Sequence, residues 1–158
     1  MLTLRTTTSA DVLHVTGWEA DADTAMWLGQ TGRSWHERVL ADPDQQHLTA
    51  EDAGTPAGFV VLAGVRSGSG TIELRRMVVS SAFRGTGRGR ELLRAALAHA
   101  RREHRATQVW LDVKVPNLRA RGLYESEGFT PARTIPGGAT EPDGTTTDLL
   151  VMTREATR

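Results

Sequence analysis

Between an apolar stretch ending in Met77-Val78-Val79 and a strongly helical run, the chain reads Arg84-Gly85-Thr86-Gly87-Arg88-Gly89. Glycines remove side chains, so successive backbone N–H groups in such a turn can close around one anion. The start of the helix that follows adds a field worth ~0.3–1 kcal/mol to a negative group near its first turn. Arg84 and Arg88, with Arg90 just beyond, can contribute bidentate charge-assisted bonds to phosphate. A strand, a glycine turn and a helix in direct succession point to a layered α/β arrangement with an anion cradle at one end of a strand.

Other phosphate-binding patterns fit less well. A dinucleotide fold wants Gly-x-Gly-x-x-Gly, and the third position after Gly87 is Arg90, although Asp112 lies about where that fold's ribose-binding acid would fall. The Gly-Lys-Ser/Thr of nucleotide hydrolases is missing. A merely flexible surface turn explains the glycines but neither the flanking arginines nor the immediate helix.

Alternation of apolar and polar residues predicts strands over 2–6, 47–51, 57–65, 71–79, 108–113 and 147–153, with a hairpin turn at Gly54-Thr55-Pro56. Helices are expected from 9 to about 15, from a capping box at Ser34-Trp35-His36-Glu37 up to Asp42-Pro43, over 87–104, and over 117–127, where Gly128 ends the last. In the third of these, Leu92, Leu93, Ala96, Leu97 and Ala100 fall on one buried face. Residues 136–146 read as a Gly-, Pro- and Thr-rich loop, and Trp35 and Trp110 as core. No repeat or linker interrupts the 158 residues, which suit one mixed α/β domain, 1–158.

Composition narrows the function. The 19 basic and 19 acidic residues cancel, so no whole-chain field calls for nucleic acid or an anionic membrane. No apolar run approaches the ~20 residues of a membrane span, and the first residues lack the pattern of a signal peptide. With no cysteine there is no thiol nucleophile or thiolate metal site, and the five histidines show no metal-ligand spacing. The expectation is a cytoplasmic protein without a metal.

Arg84-x-x-Gly87-x-Gly89 after an apolar strand resembles the coenzyme-A signature of the GCN5-related N-acetyltransferases. A second block, Asn117, Ala120, Leu123-Tyr124-Glu125 and Gly128-Phe129, is similar to that family's Asn…Ala…Leu-Tyr-Glu…Gly-Phe helix. The final third is more diffusely similar to ribosomal-protein and polyamine N-acetyltransferases. The resemblance implies an α/β fold, a mixed and mostly antiparallel sheet of six or seven strands flanked by about four helices. It implies acetyl-CoA as co-substrate, bound by the backbone of Met77, Val78 and Val79, by the turn Arg84, Gly85, Thr86, Gly87, Arg88, Gly89 and Arg90, and by Asn117 and Tyr124. An N–H near Met77 or Val78 would polarise the thioester carbonyl, and Tyr124 would protonate the leaving thiolate.

The acceptor amine, with a reference pKa of ~10.4, must also lose a proton. Glu73, on the strand leading to the cradle, is the first candidate base; Glu73-Leu74-Arg75-Arg76 resembles a variant found in part of the family, and Asp112 is the substitute. Glu19, Asp21 and Asp23 with Trp18 and Trp27 fall where the family covers its substrate, and suit a cationic amine as well as they suit a solvated acidic loop over buried tryptophans. Glu141 and Asp143 stand in the loop that could border the same site. The acceptor is then a small-molecule amine or a peptide N-terminus, and a homodimer is compatible with the reading. A non-catalytic acyl-CoA sensor would share the cradle without needing Tyr124 or Glu73.

Overall fold

The computed structural model describes residues 1–156. Among them are seven strands: β1 (Leu2–Thr6), β2 (Gln45–Asp52), β3 (Thr55–Ala63), β4 (Thr71–Val79), β5 (Gln108–Lys114), β6 (Thr130–Thr140) and β7 (Thr146–Glu155). Five helices accompany them: α1 (Val12–Glu19), α2 (Ala22–Ala25), α3 (Arg33–Ala41), α4 (Arg88–His104) and α5 (Leu118–Ser126). The strands form one sheet in the order β1-β2-β3-β4-β5-β7-β6. Every neighbouring pair is antiparallel except β4 with β5.

β3 lies inside the sheet, between β2 and β4, because residues 57–63 are apolar or glycine without interruption, and such a run needs cover on both faces. On one face Val60, Leu62 and Leu74 meet the predicted stripe of α4, Leu92, Leu93, Ala96, Leu97 and Ala100. On the other, Phe59, Val61 and Val78 meet Val15 of α1 with Trp35 and Val39 of α3. Each fully buried large aliphatic side chain stabilises this sandwich by roughly 1.5–3 kcal/mol. Gly58 lets the layers close: a Cβ there would stand 2.5 Å from the Val78 carbonyl oxygen and 3.3 Å from Leu92 Cδ2.

Three local expectations need correction. The helix expected from a capping box at Ser34 begins at Arg33 instead, capped by Gly32 with φ +102°; Ser34 is already inside its first turn, and Glu37 pairs with Arg33 at 2.8 Å. The stretch 136–146 is mostly strand. A register shift between Ile135 and Ala139 absorbs Pro136-Gly137-Gly138, so β6 continues to Thr140 and only a tight turn at 141–145 remains. Trp110 is half-buried rather than core. The sheet of seven strands and about four helices is as expected, with the single turn Ala22–Ala25 making a fifth helix. No helix among the described residues is long and apolar enough to cross a membrane.

Candidate active site

β4 and β5 pair only at Thr71↔Gln108, Ile72↔Val109 and Glu73↔Trp110, then part, although β4 continues to Val79 and β5 to Lys114. Just past the last pair, β4 carries a bulge: Val61 opposes Arg76 and Leu62 opposes Leu74, which leaves Arg75 unmatched. A bulge bends its strand and sharpens the twist, and here it turns the upper limb of β4 away from β5. A cleft of about 1800 Å³ opens between the limbs. Side chains of Met77 and Val79 pack toward α4 and that of Val78 toward α3, so the limb is anchored while its edge lacks a ladder partner on the β5 side. An extended ligand can pair with such an edge as an added strand.

The glycine turn lies at the end of this limb. Gly85 and Gly87 have φ of +77° and +78°, and a Cβ at either would project into open space. Gly87 caps α4, and the Thr86 hydroxyl braces the turn by donating to the Phe83 carbonyl at 2.9 Å. The arginines are engaged elsewhere. Arg84 bonds Asp21 at 2.7 Å and Thr24 at 2.8 Å; Arg88 bonds Asp52 at 2.7 Å and Glu91 at 2.8 Å; Arg90 bonds Ser126 at 2.8 Å and lies 3.4 Å from Glu127. The cradle therefore offers backbone N–H groups at a helix start in the space a side chain would fill, a donor set that fits a pyrophosphate. Arginine contacts to phosphate would require these pairs to exchange.

Across the cleft, Asn117 Oδ1 accepts the Ala120 N–H at 3.3 Å and caps α5, while Tyr124 stands half-buried one face along the same helix, its ring 5.7 Å from that of Phe129. Both line the cleft. Burial, with the charge of Asp112, pushes the Tyr124 phenol up to about 12. Glu73 and Asp112 share the opposite sheet face, since Glu73 opposes Trp110 and Asp112 lies two residues on. Burial raises the Glu73 carboxyl above its ordinary range, with Arg75 opposing and Asp112 adding to the rise. Asp112 is open to the cleft's solvent, yet enough protein surrounds it to raise its carboxyl too, again against Arg75. Among the described residues no group of three or more His, Asp or Glu could hold a metal ion.

The profile of the acetyltransferase (GNAT) family matches residues 12–129. The chain belongs to this family. A Bacillus subtilis protein provisionally named a [ribosomal protein bS18]-alanine N-acetyltransferase is 29% identical over 121 residues, 77% of this chain and 76% of that one. Mycothiol acetyltransferase of Thermobispora bispora is 45% identical over 133 residues, 72% of this chain but only 45% of that longer protein. The Vibrio cholerae spermidine N-acetyltransferase solved with CoA and spermine superposes with a TM-score of 0.85 at 20% identity, over 98% of this chain and 95% of that one. As a GNAT protein the chain is an acetyl-CoA-dependent N-acetyltransferase.

The remaining wall of the GNAT cleft differs from the sequence reading. Trp27 and Asp23 line it, but Asp21 is the partner of Arg84, Trp18 packs on the cluster under α3, and Glu19 is buried in an ion pair with Arg76. Glu141 lines the cleft, whereas Asp143 bonds Thr145 within its own turn. Sequence reasoning missed Lys114. Its ammonium is buried, donating to the Met26 carbonyl at 2.9 Å and to Glu141 at 2.8 Å, and so ties the α2 region and the β6–β7 turn to the end of β5. Its standing as the only lysine was the available signal.

Proposed function

We propose that this enzyme acetylates a primary amine, of a small molecule or a peptide N-terminus, by direct attack of the amine at the point where β4 and β5 part. That parting carries the reading, because it brings an unpaired strand edge, a protonated phenol and two carboxylates of raised pKa to one opening. Acetyl-CoA supplies the activated acetyl group as a thioester. The glycine turn from Arg84 to Gly89, with Arg90 beside it, holds the pyrophosphate end, and Asn117 contacts the coenzyme from across the cleft; the backbone of Met77, Val78 and Val79 grips the arm, and an N–H there donates to the carbonyl oxygen.

Bringing an alkyl amine to its neutral form at pH 7 costs roughly 4–5 kcal/mol. A carboxylate whose pKa is raised gives up less free energy in taking that proton, so Glu73 and Asp112 together receive it, Glu73 being the more enclosed. Tyr124 faces the opposite demand. At about 12 its phenol keeps its proton throughout the working range, and full transfer to a thiolate of pKa ~8.5 would cost roughly 5 kcal/mol. Its contribution is thus a hydrogen bond to the departing sulfur, completed as a proton transfer only when the phenolate left behind regains a proton, the one that the amine has released to the carboxylates.

The test is thiol release from acetyl-CoA across a panel of polyamines, amino acids, aminoglycosides and peptide N-termini. Release with at least one amine is expected, and Tyr124→Phe is expected to lower kcat by about 10²–10³-fold with the KM for acetyl-CoA within about twofold. Binding of coenzyme A without transfer to any amine would replace this reading by that of an acyl-CoA sensor. Unchanged transfer in Tyr124→Phe would remove the phenol from the mechanism.

A further inference from the structure

Six polar residues, five of them buried, form a chain that the reaction above does not use. Arg76 Nη1 donates to Glu19 Oε2 at 2.7 Å; Glu19 Oε1 lies 2.6 Å from His36 Nε2; His36 Nδ1 lies 2.8 Å from His47 Nε2; His47 Nδ1 lies 2.8 Å from Thr7 Oγ1; and Thr7 Oγ1 lies 2.7 Å from Thr49 Oγ1. Glu19, His36, His47, Thr7 and Thr49 are each at most 3% exposed. They belong to α1, α3, β2 and the residue after β1, and they meet β4 at Arg76.

With both imidazoles neutral, donor and acceptor chemistry fixes every proton in this chain. Arg76 only donates, and the ionised carboxylate paired with it only accepts, so His36 carries its proton on Nε2. A neutral His36 then accepts at Nδ1, which requires N–H at His47 Nε2. His47 accepts at Nδ1 from the Thr7 hydroxyl, which accepts in turn from Thr49. Burial, with the Arg76 guanidinium acting in the same direction, pushes His47 down to about 3, in keeping with a neutral ring. The reversed order would place an extra proton on the imidazole pair beside the Arg76 guanidinium in a dry interior.

The far end, Thr49, is fully buried and passes no proton to solvent. The chain is therefore a strut with one working end. That end is Arg76, which lines the cleft between the bulged Arg75 and Met77 and has its guanidinium carbon over the Trp35 ring, 3.8 Å from its centroid.

We propose that His36, held in its tautomer by His47, is a positioning residue for acetyl transfer: it orients the Glu19 carboxylate that anchors Arg76 and so fixes the parted limb of β4 beside Met77. The inference rests on the reading of that limb as the grip on the thioester. A sub-ångström to ångström displacement there lowers the chemical step by about 10–100-fold while leaving the anion cradle at the far end of the limb intact.

Two substitutions test it. His36→Phe removes both polar contacts, whereas His36→Gln keeps an amide N–H for Glu19 and a carbonyl for His47. At a temperature well below the melting of every variant, His36→Phe is expected to lose about 10-fold or more in kcat, with calorimetric affinity for coenzyme A within twofold of wild type. His36→Gln is expected to recover most of that loss. Equal kcat in His36→Phe and wild type, or equal loss in both variants, would overturn the proposal. Should His36→Phe fail to fold, the same comparison is made with His47→Phe and His47→Gln. Nitrogen NMR gives a readout independent of turnover: both rings are expected as neutral Nε2–H tautomers at pH 7, and Nδ1–H on either overturns the chain. Wild-type protein inactive on every amine would defeat the functional reading itself; active wild type with unimpaired His36→Phe defeats this inference alone.

Discussion

On the wall of the cleft that faces the donor, the groups aimed into the opening are mostly backbone. Gly85 and Gly87 open a turn, Gly87 caps α4, and the β4 limb presents an unpaired edge. On the acceptor wall the positions are set by side chains that meet across the sequence, as Lys114 meets the Met26 carbonyl over 88 residues and Glu141 over 27. Backbone geometry follows from neighbouring residues and tolerates change in their side chains, provided glycine stays where φ is positive. A wall made of paired charges can be altered one pair at a time, which allows the acceptor to change while the donor stays the same.

The base pair should separate the two walls most sharply. The double variant Glu73→Gln, Asp112→Asn is expected to lose about 10²-fold or more in kcat/KM for the amine at pH 7, with coenzyme A affinity unchanged. In wild type kcat/KM should rise as pH climbs through the raised carboxyl pKa values, because protonated carboxyls cannot take the amine's proton; in the double variant that rise should vanish. Persistence of the rise would assign it to another group.

Gly87→Val attacks the donor wall alone. A Cβ at φ +78° costs roughly 1–2 kcal/mol, so the KM for acetyl-CoA should rise by about 5–30-fold while kcat at saturation holds. A fall in kcat without a rise in KM would show that the cradle is not the donor site.

Smaller still is the effect of Lys114→Met. Loss of the tie to Met26 and Glu141 should shift the KM for the amine several-fold and leave that for acetyl-CoA alone, read from initial rates with each substrate varied in turn. Glu73→Gln by itself should slightly raise the melting temperature at neutral pH. The folded-state pKa of Glu73 is raised, so its charged form opposes folding above that pKa, and the gain should fade as pH falls below the ordinary carboxylate range, where both forms are neutral. Thermal melts across that range check the sign.

Much of the donor wall was legible in the sequence. The α4 stripe, the strand from Thr71 to Val79 and Gly128, with φ +95°, fall where periodicity and punctuation place them. The errors cluster where a local signal met a stronger local or distant one. Gly32 at positive φ overrode the Ser34 capping box, and a register shift carried Pro136-Gly137-Gly138 into β6 because β7 supplied a partner on both sides of it. Glu19 was legible only as an acid near the acceptor. Its partners, Arg76 and His36, come from β4 and α3, and nothing in the spacing along the chain reveals that pairing.

By itself the sequence determined the form of the turn proposed to hold the donor: glycines at left-handed positions before a helix start make an anion cradle through backbone geometry, which is local. The tertiary structure alone decided how far β4 and β5 stay together, which carboxylates share the opening, and that Lys114, Glu19 and His36 are buried. Those outcomes depend on register and on charges paired across the fold, where the cost of removing an ion from water is offset only by a partner that folding brings to it.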